Sequence, residues 1–110
     1  MTTVTESHTD ALTRLGYALS DGTRARILLA LRAAPAFPSD LADELGVSRQ
    51  VMSNQLACLR GCGLVEAEPE GRRTRYRLVD AHLGRALGEL LDLVLVVDPS
   101  CCGPEGCTCR

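Results

Sequence analysis

The stretch Leu41-Ala-Asp-Glu-Leu-Gly-Val-Ser48-Arg-Gln-Val-Met-Ser-Asn-Gln-Leu-Ala-Cys-Leu-Arg-Gly-Cys62 decides the fold. Its first part predicts a short helix over 39–45, closed by Gly46, which enters the left-handed cap conformation without steric cost. Ser48 then caps a second helix over 48–62. Helix, glycine-containing turn and helix make a helix-turn-helix, with Ala42 small at the crossing and Leu41, Leu45, Val47, Met52 and Leu56 apolar inside. On a wheel of about 100° per residue, Val51, Met52, Leu56 and Leu59 fall on the buried side. Gln50, Ser53, Asn54 and Ala57 point outward, while Cys58 and Cys62, about 40° apart, sit at the edge of the apolar stripe.

Upstream, residues 1–8 are polar and read as a flexible lead-in. Leu12, Leu15 and Leu19 then recur at helical spacing. Asp21-Gly22 interrupts that first helix, and a second over 23–33 places Ile27, Leu28 and Leu31 on one face. Pro35 and Pro38 end it and start the next, because proline fits a first turn but not a helix interior. Downstream, strands over 64–68 and 73–78 are joined around Pro69-Glu70-Gly71. The second strand alternates, with Thr74, Tyr76 and Leu78 toward the domain and Arg73, Arg75 and Arg77 outward, which makes the hairpin a basic wing.

Asp80 caps a last helix expected to run to about residue 97, with Leu83, Leu87, Leu90, Val94 and Val97 at alternating four- and three-residue spacing. That seam is a candidate dimer interface. Leu91, Leu95 and Val96 make the helix end apolar nearly all round, a surface a small monomer would leave exposed. Asp98-Pro99 stops it. The expected organisation is a winged domain over 9–98 and a cysteine-rich tail over 99–110 carrying Cys101, Cys102, Cys107 and Cys109.

A chain of 110 residues suits one domain. With one Phe, two Tyr and no Trp, its core must come from Leu, Val and Ala. The net charge of −2 excludes a uniformly basic nucleic-acid coat, so DNA affinity has to come from local clustering. All twelve basic residues are Arg, and four fall in 72–77. The N-terminus has no apolar signal region and no uncharged run spans a bilayer, so a cytoplasmic protein is expected, without membrane partners. Six cysteines confined to one helix and one tail read as reduced thiols for metal rather than as a disulfide scaffold. No His stands beside any Cys, so no activated nucleophile is visible and no enzyme activity is expected.

With these motifs in place, the sequence resembles the ArsR/SmtB family of winged-helix metal-sensing repressors over nearly its whole length. The marks are Leu19-Ser-Asp-Gly-Thr-Arg-Ala-Arg-Ile-Leu28, Leu41-Ala-Asp-Glu-Leu-Gly-Val-Ser48, Ser53-Asn-Gln-Leu-Ala-Cys-Leu-Arg-Gly-Cys-Gly-Leu-Val65 and Glu70-Gly-Arg-Arg-Thr-Arg-Tyr76. The resemblance implies a mainly α fold with a small β-hairpin, a winged helix-turn-helix dimerising through its first and last helices. It implies a homodimer on double-stranded operator DNA, with Ser48, Arg49, Gln50, Ser53, Asn54 and Gln55 from the reading helix and Arg72, Arg73 and Arg75 from the wing. Gln55 stands where the family often has His, as a packing or base-contact variant.

The likeness is closest to the cadmium/lead-sensing branch, where two cysteines of the fourth helix and one from the other subunit's tail bind the metal. Cys58 and Cys62 match the helix pair, with Cys102, or else Cys101, as the tail ligand. The implied effector is Cd(II) or Pb(II). The dense tail also resembles that of members binding As(III), in which case Cys101, Cys102 and Cys107 form the site. Other family sites are missing: Phe37 and Ser39 replace a Cys-x-Cys pair, and Leu93 and Val96 stand where partners of Asp80 and His82 would complete a zinc site.

Thiolates select soft ions because polarizable sulfur prefers cadmium, lead or trivalent arsenic to calcium or magnesium. Cys58 and Cys62 as small core hydrophobes, a tail that merely buffers metal, and a thiol-redox switch are the competing readings.

Overall fold

The computed structural model describes residues 7–93. Five helices and one hairpin follow in the order α1 (His8–Leu19), α2 (Gly22–Ala33), α3 (Pro38–Leu45), α4 (Arg49–Gly61), β1 (Val65–Glu70), β2 (Arg73–Leu78) and α5 (Ala81–Leu91). Four helices start on a side chain that accepts from an otherwise orphaned N–H: Ser7 for α1, Asp21 for α2, Ser48 for α4 and Asp80 for α5. The fifth, α3, starts on Pro38, whose missing N–H is no loss in a first turn. It ends at Gly46 with φ 69°, the left-handed conformation that turns the chain into α4.

The core is the apolar side of α2, α3 and α4 closed by the hairpin and α5. Ile27, Leu28, Leu41, Met52, Leu56 and Leu59 are fully buried, joined by Leu31, Val65 and Leu87. Truncating any of these large side chains to Ala costs about 2–5 kcal/mol. The two strands pair antiparallel from Val65↔Leu78 to Glu70↔Arg73. Tyr76 adds a bridge to Ala36, its N–H donating to the Ala36 carbonyl at 2.8 Å and its own carbonyl accepting in return at 3.0 Å. The wing is thereby anchored to the segment just before α3.

Three expectations need correction. The first strand extends through Glu70 and includes Pro69, so the turn is Gly71-Arg72, with Gly71 at φ 65°. Pro69 is accommodated because β1 is an edge strand. Val51, expected inside, is 40% exposed. On the wheel it falls about 100° from Met52, on a flank it shares with Gln55, Cys58 and Cys62. The last helix, expected to reach about residue 97, closes at Leu91, because the Asp92 and Leu93 amides bond carbonyls three residues back, at 3.1 Å each. Residues 94–97 lie outside the described residues.

Helix α5 docks on α2 through a glycine pair. The Arg32 Nε donates to the Gly84 carbonyl at 3.2 Å. A Cβ built at Gly88 would stand 2.6 Å from Arg32 Nη2, whereas one at Gly84 would make an ordinary 3.6 Å contact with Leu78. Gly84→Ala is therefore expected to stabilise the protein by about 0.5–1 kcal/mol through helix propensity. Gly88→Ala should gain less, because Arg32 must leave its place, and Arg32→Ala should restore the gain. Thermal unfolding of the four proteins checks this; equal gains at both glycines would show that Arg32 does not hold α5.

Candidate DNA interface and thiol pair

Met52, Leu56 and Leu59 commit one side of α4 to the core, and the opposite side presents Gln50, Ser53, Asn54 and Ala57 to solvent. Ser48 Oγ accepts the Val51 N–H at 3.0 Å, fixing the helix start, and Arg49 next to it is exposed. Gln50 Nε2 donates to Asn54 Oδ1 at 3.0 Å, one turn along the same face. Gln55 does not share that face. Its side chain turns inward, where Oε1 accepts from Arg24 Nη1 at 3.3 Å and Nε2 approaches Asp21 Oδ2 at 3.4 Å. Of the two roles expected for Gln55, this placement is that of the packing variant.

The wing arginines differ in how they are held. Arg73 lies with its guanidinium 3.6 Å from the centroid of the Phe37 ring, pairs with Asp40 at 3.3 Å and reaches Ser39 Oγ. Arg75 pairs with Glu70 at 2.9 Å and also approaches Phe37. Arg77 pairs with Glu66 at 2.7 Å and Glu68 at 2.8 Å, and these carboxylates raise its pKa further. Arg72, in the turn, is exposed and has no ion-pair partner among the described residues.

At the far end of α4, Cys58 and Cys62 are both half-buried and not joined in a disulfide. The Cys62 N–H donates to the Cys58 carbonyl at 3.0 Å, so the pair spans the last helical turn and its cap. Burial pushes the Cys62 thiol above its ordinary pKa, and the neighbouring Cys58 thiol adds to this; a hydrogen bond and the charge of Arg14 act the other way. Cys62 shares a cleft with Asp10, Thr13, Arg14 and Tyr17 of α1. Two adjacent thiols fit two corners of a soft-metal site, with the thiol protons displaced on binding. Among the described residues no third His, Cys, Asp or Glu joins them in a metal-holding group. The expected tail ligands Cys101, Cys102 and Cys107 lie outside the described residues.

Arg24 escapes sequence reasoning, although its spacing from the helix cap Asp21 is visible in the sequence. It is the buried charged residue of the described chain, 9% exposed.

A helix-turn-helix with an exposed polar face, followed by a hairpin wing, defines the winged-helix class of transcription regulators. A family model described as bacterial regulatory protein, arsR family, matches residues 21–67. Over 93 residues the chain is 57% identical to the HTH-type transcriptional regulator CmtR of Mycobacterium tuberculosis, spanning 84% of this chain and 79% of that protein. The chain belongs to the ArsR family. Its structure is similar to the NMR structure of CmtR from Mycobacterium tuberculosis, described as a cadmium metal-sensor, with a TM-score of 0.65 and 58% identity over 78% of this chain and 90% of that one. It is also similar, with a TM-score of 0.71 and 29% identity, to a homodimeric winged helix-turn-helix DNA-binding domain from Mycobacterium bovis, over 81% and 87% of the two chains.

The ion pairs separate the wing arginines by salt dependence. Arg72→Ala is expected to weaken binding to operator DNA and to reduce the slope of log affinity against log salt by about 0.9, the loss of one phosphate contact. Arg73→Ala should change that slope by less than half as much, because its charge is already matched by Asp40. Fluorescence anisotropy over a salt series measures both, and equal slope changes would contradict the distinction.

Proposed function

We propose that this chain is a cytoplasmic repressor that holds operator DNA as a homodimer and lets it go on binding Cd(II) or Pb(II). The observation that carries this is one helix with two ends: Gln50, Ser53 and Asn54 exposed in its first turns, and the thiols of Cys58 and Cys62 side by side in its last. The cadmium sensing described for CmtR supports the choice of ion.

In this reading Ser48, Arg49, Gln50, Ser53 and Asn54 meet the major groove, and Arg72, Arg73 and Arg75 meet phosphate, the latter two after exchanging their carboxylate partners. Residues 9–98 make the winged domain, and residues 99–110 are the tail. Cys102, or else Cys101, of the second subunit completes a three-thiolate site with Cys58 and Cys62. Dimerisation uses α1 and α5, whose Leu12, Tyr17, Leu90 and Leu91 are exposed in the single chain, and the homodimeric relative supports it. No helix among the described residues is long and apolar enough to cross a membrane.

Cys58 and Cys62 of one subunit with Cys102, or else Cys101, of the other would hold the ion, which would tie the reading helix of the first to the tail of the second. The chain's own residues supply the consequence: a two-fold operator demands a fixed spacing of the paired α4 helices, and a tether at the end of α4 restricts their relative tilt. A coupling of about 1–3 kcal/mol changes occupancy by roughly 5- to 150-fold.

Cys58→Ser is expected to keep metal-free DNA affinity and to lose cadmium-induced release. Anisotropy under anaerobic reducing conditions, on a duplex from upstream of its own gene, checks this. Deleting residues 100–110 should have the same effect as Cys58→Ser. Release by arsenite that survives Cys58→Ser would move the site to Cys101, Cys102 and Cys107, and release by peroxide in chelator would replace metal with thiol redox.

A further inference from the structure

Arg24 is a buried guanidinium with no carboxylate in ion-pair range among the described residues. Removing such a charge from water is costly, so its remaining partners must hold it well. They come from two helices, α1 and α4. Nε donates to the Ala18 carbonyl at 3.2 Å and Nη2 to the Tyr17 carbonyl at 3.0 Å, two acceptors in the last turn of α1 where the helix dipole favours a cation. Its ring-facing side lies 4.6 Å from the Tyr17 centroid. The third donor, Nη1, reaches Gln55 Oε1 in the middle of α4.

Gln55 closes the circuit. Its amide oxygen faces a donor and its amide nitrogen faces Asp21 Oδ2, the same oxygen that caps α2 through the Arg24 N–H at 3.0 Å. Donor and acceptor are matched in one orientation of the amide, so the side chain fixes the angle and register of α4 against the α1–α2 corner rather than merely filling space.

The thiols lie along the same flank. At 100° per residue Val51, Gln55, Cys58 and Cys62 fall within about 60° of one another, apart from both the core side and the DNA-facing side. Tyr17 serves both groups, with its carbonyl and ring on Arg24 and its side chain lining the cleft at Cys62. Whatever binds at Cys58 and Cys62 acts on α4 one to two turns beyond the bonds that Gln55 makes to the α1–α2 corner.

We propose that Arg24, Gln55 and Asp21 form a clamp that sets the reading attitude of α4, with Gln55 as the positioning residue through which ligation at Cys58 and Cys62 changes DNA affinity. This rests on the metal-release function proposed above. The bonds are polar and half-exposed at the Gln55 end, so they can be exchanged without opening the apolar core.

The test is Gln55→Met, which keeps length and removes both bonds, compared with wild type in three measurements. Thiolate-to-metal ultraviolet absorption reads cadmium binding, anisotropy reads DNA affinity with and without cadmium, and thermal unfolding reads the fold. The expected result is unchanged cadmium binding, metal-free DNA affinity about tenfold weaker, the worth of one charge-assisted hydrogen bond, and a cadmium-induced release factor reduced by a similar ratio. Gln55→Glu should keep the bond to Arg24, lose that to Asp21 and fall between the two. A variant that releases DNA by the wild-type factor overturns the clamp's regulatory role, whether or not it is less stable. Wild-type protein that binds cadmium yet keeps its DNA overturns the metal-release function and the coupling with it, a result told apart because it appears before any substitution is made.

Discussion

Burial of one stripe of α4 is the constraint on which the rest depends. Met52, Leu56 and Leu59 pack against Ile27, Leu28 and Leu41, and at 3.6 residues per turn this commits every other position of the helix to a direction. Gln50, Ser53 and Asn54 are thereby delivered to solvent, and Gln55, Cys58 and Cys62 to the flank beside α1. A slip of one residue in that packing would turn a thiol into the core and a core leucine onto the reading face. The N-cap at Ser48 and the left-handed Gly46 fix where the helix begins, so register is set locally before packing confirms it.

The wing shows how an acidic chain carries a basic element. Glu66, Glu68 and Glu70 of β1 lie opposite or diagonal to Arg77 and Arg75 of β2, and Asp40 of α3 meets Arg73. Exposed pairs of this kind stabilise the fold by only about 0–1 kcal/mol each, so stability does not account for them. Their effect is on the field: the hairpin is ordered with its cations neutralised, and the turn residue Arg72 remains as the wing charge without a carboxylate among the described residues. Phe37 adds a mechanical role, since both Arg73 and Arg75 stack over it and tie the hairpin to the start of α3.

Helix-turn-helix, hairpin and first helices are legible in the sequence because each is marked locally by a cap, a proline, a glycine or a hydrophobic period. The errors fall where position along a period does not specify what covers it. Val51 lies about 100° from Met52 and reads as buried, yet no element among the described residues covers that flank at its end of α4. Apolar spacing alone carries the last helix to residue 97, and spacing does not register the change to three-residue hydrogen bonds at Asp92 and Leu93. Gln55 is legible as an oddity, but its inward turn depends on Arg24 and Asp21, which lie over thirty positions away in the chain. Arg24 itself reads only as part of a family mark, because a single arginine in an amphipathic helix gives no sign that it will be buried.

Placing effector and clamp on one flank has an energetic logic. Interactions in the core of α4 are worth several kcal/mol each, too much for a ligand to oppose without unfolding the domain. Those on the exposed polar face are, in the proposed function, taken up by the operator. The flank holds hydrogen bonds of about one to three kcal/mol each, the same range as an ordinary allosteric coupling. A ligand that acts there works against interactions of its own strength. In the function proposed here Arg73 and Arg75 also exchange carboxylates for phosphates, so net DNA affinity is a difference between opposing free energies, and a coupling of that size is enough to decide whether an operator is held.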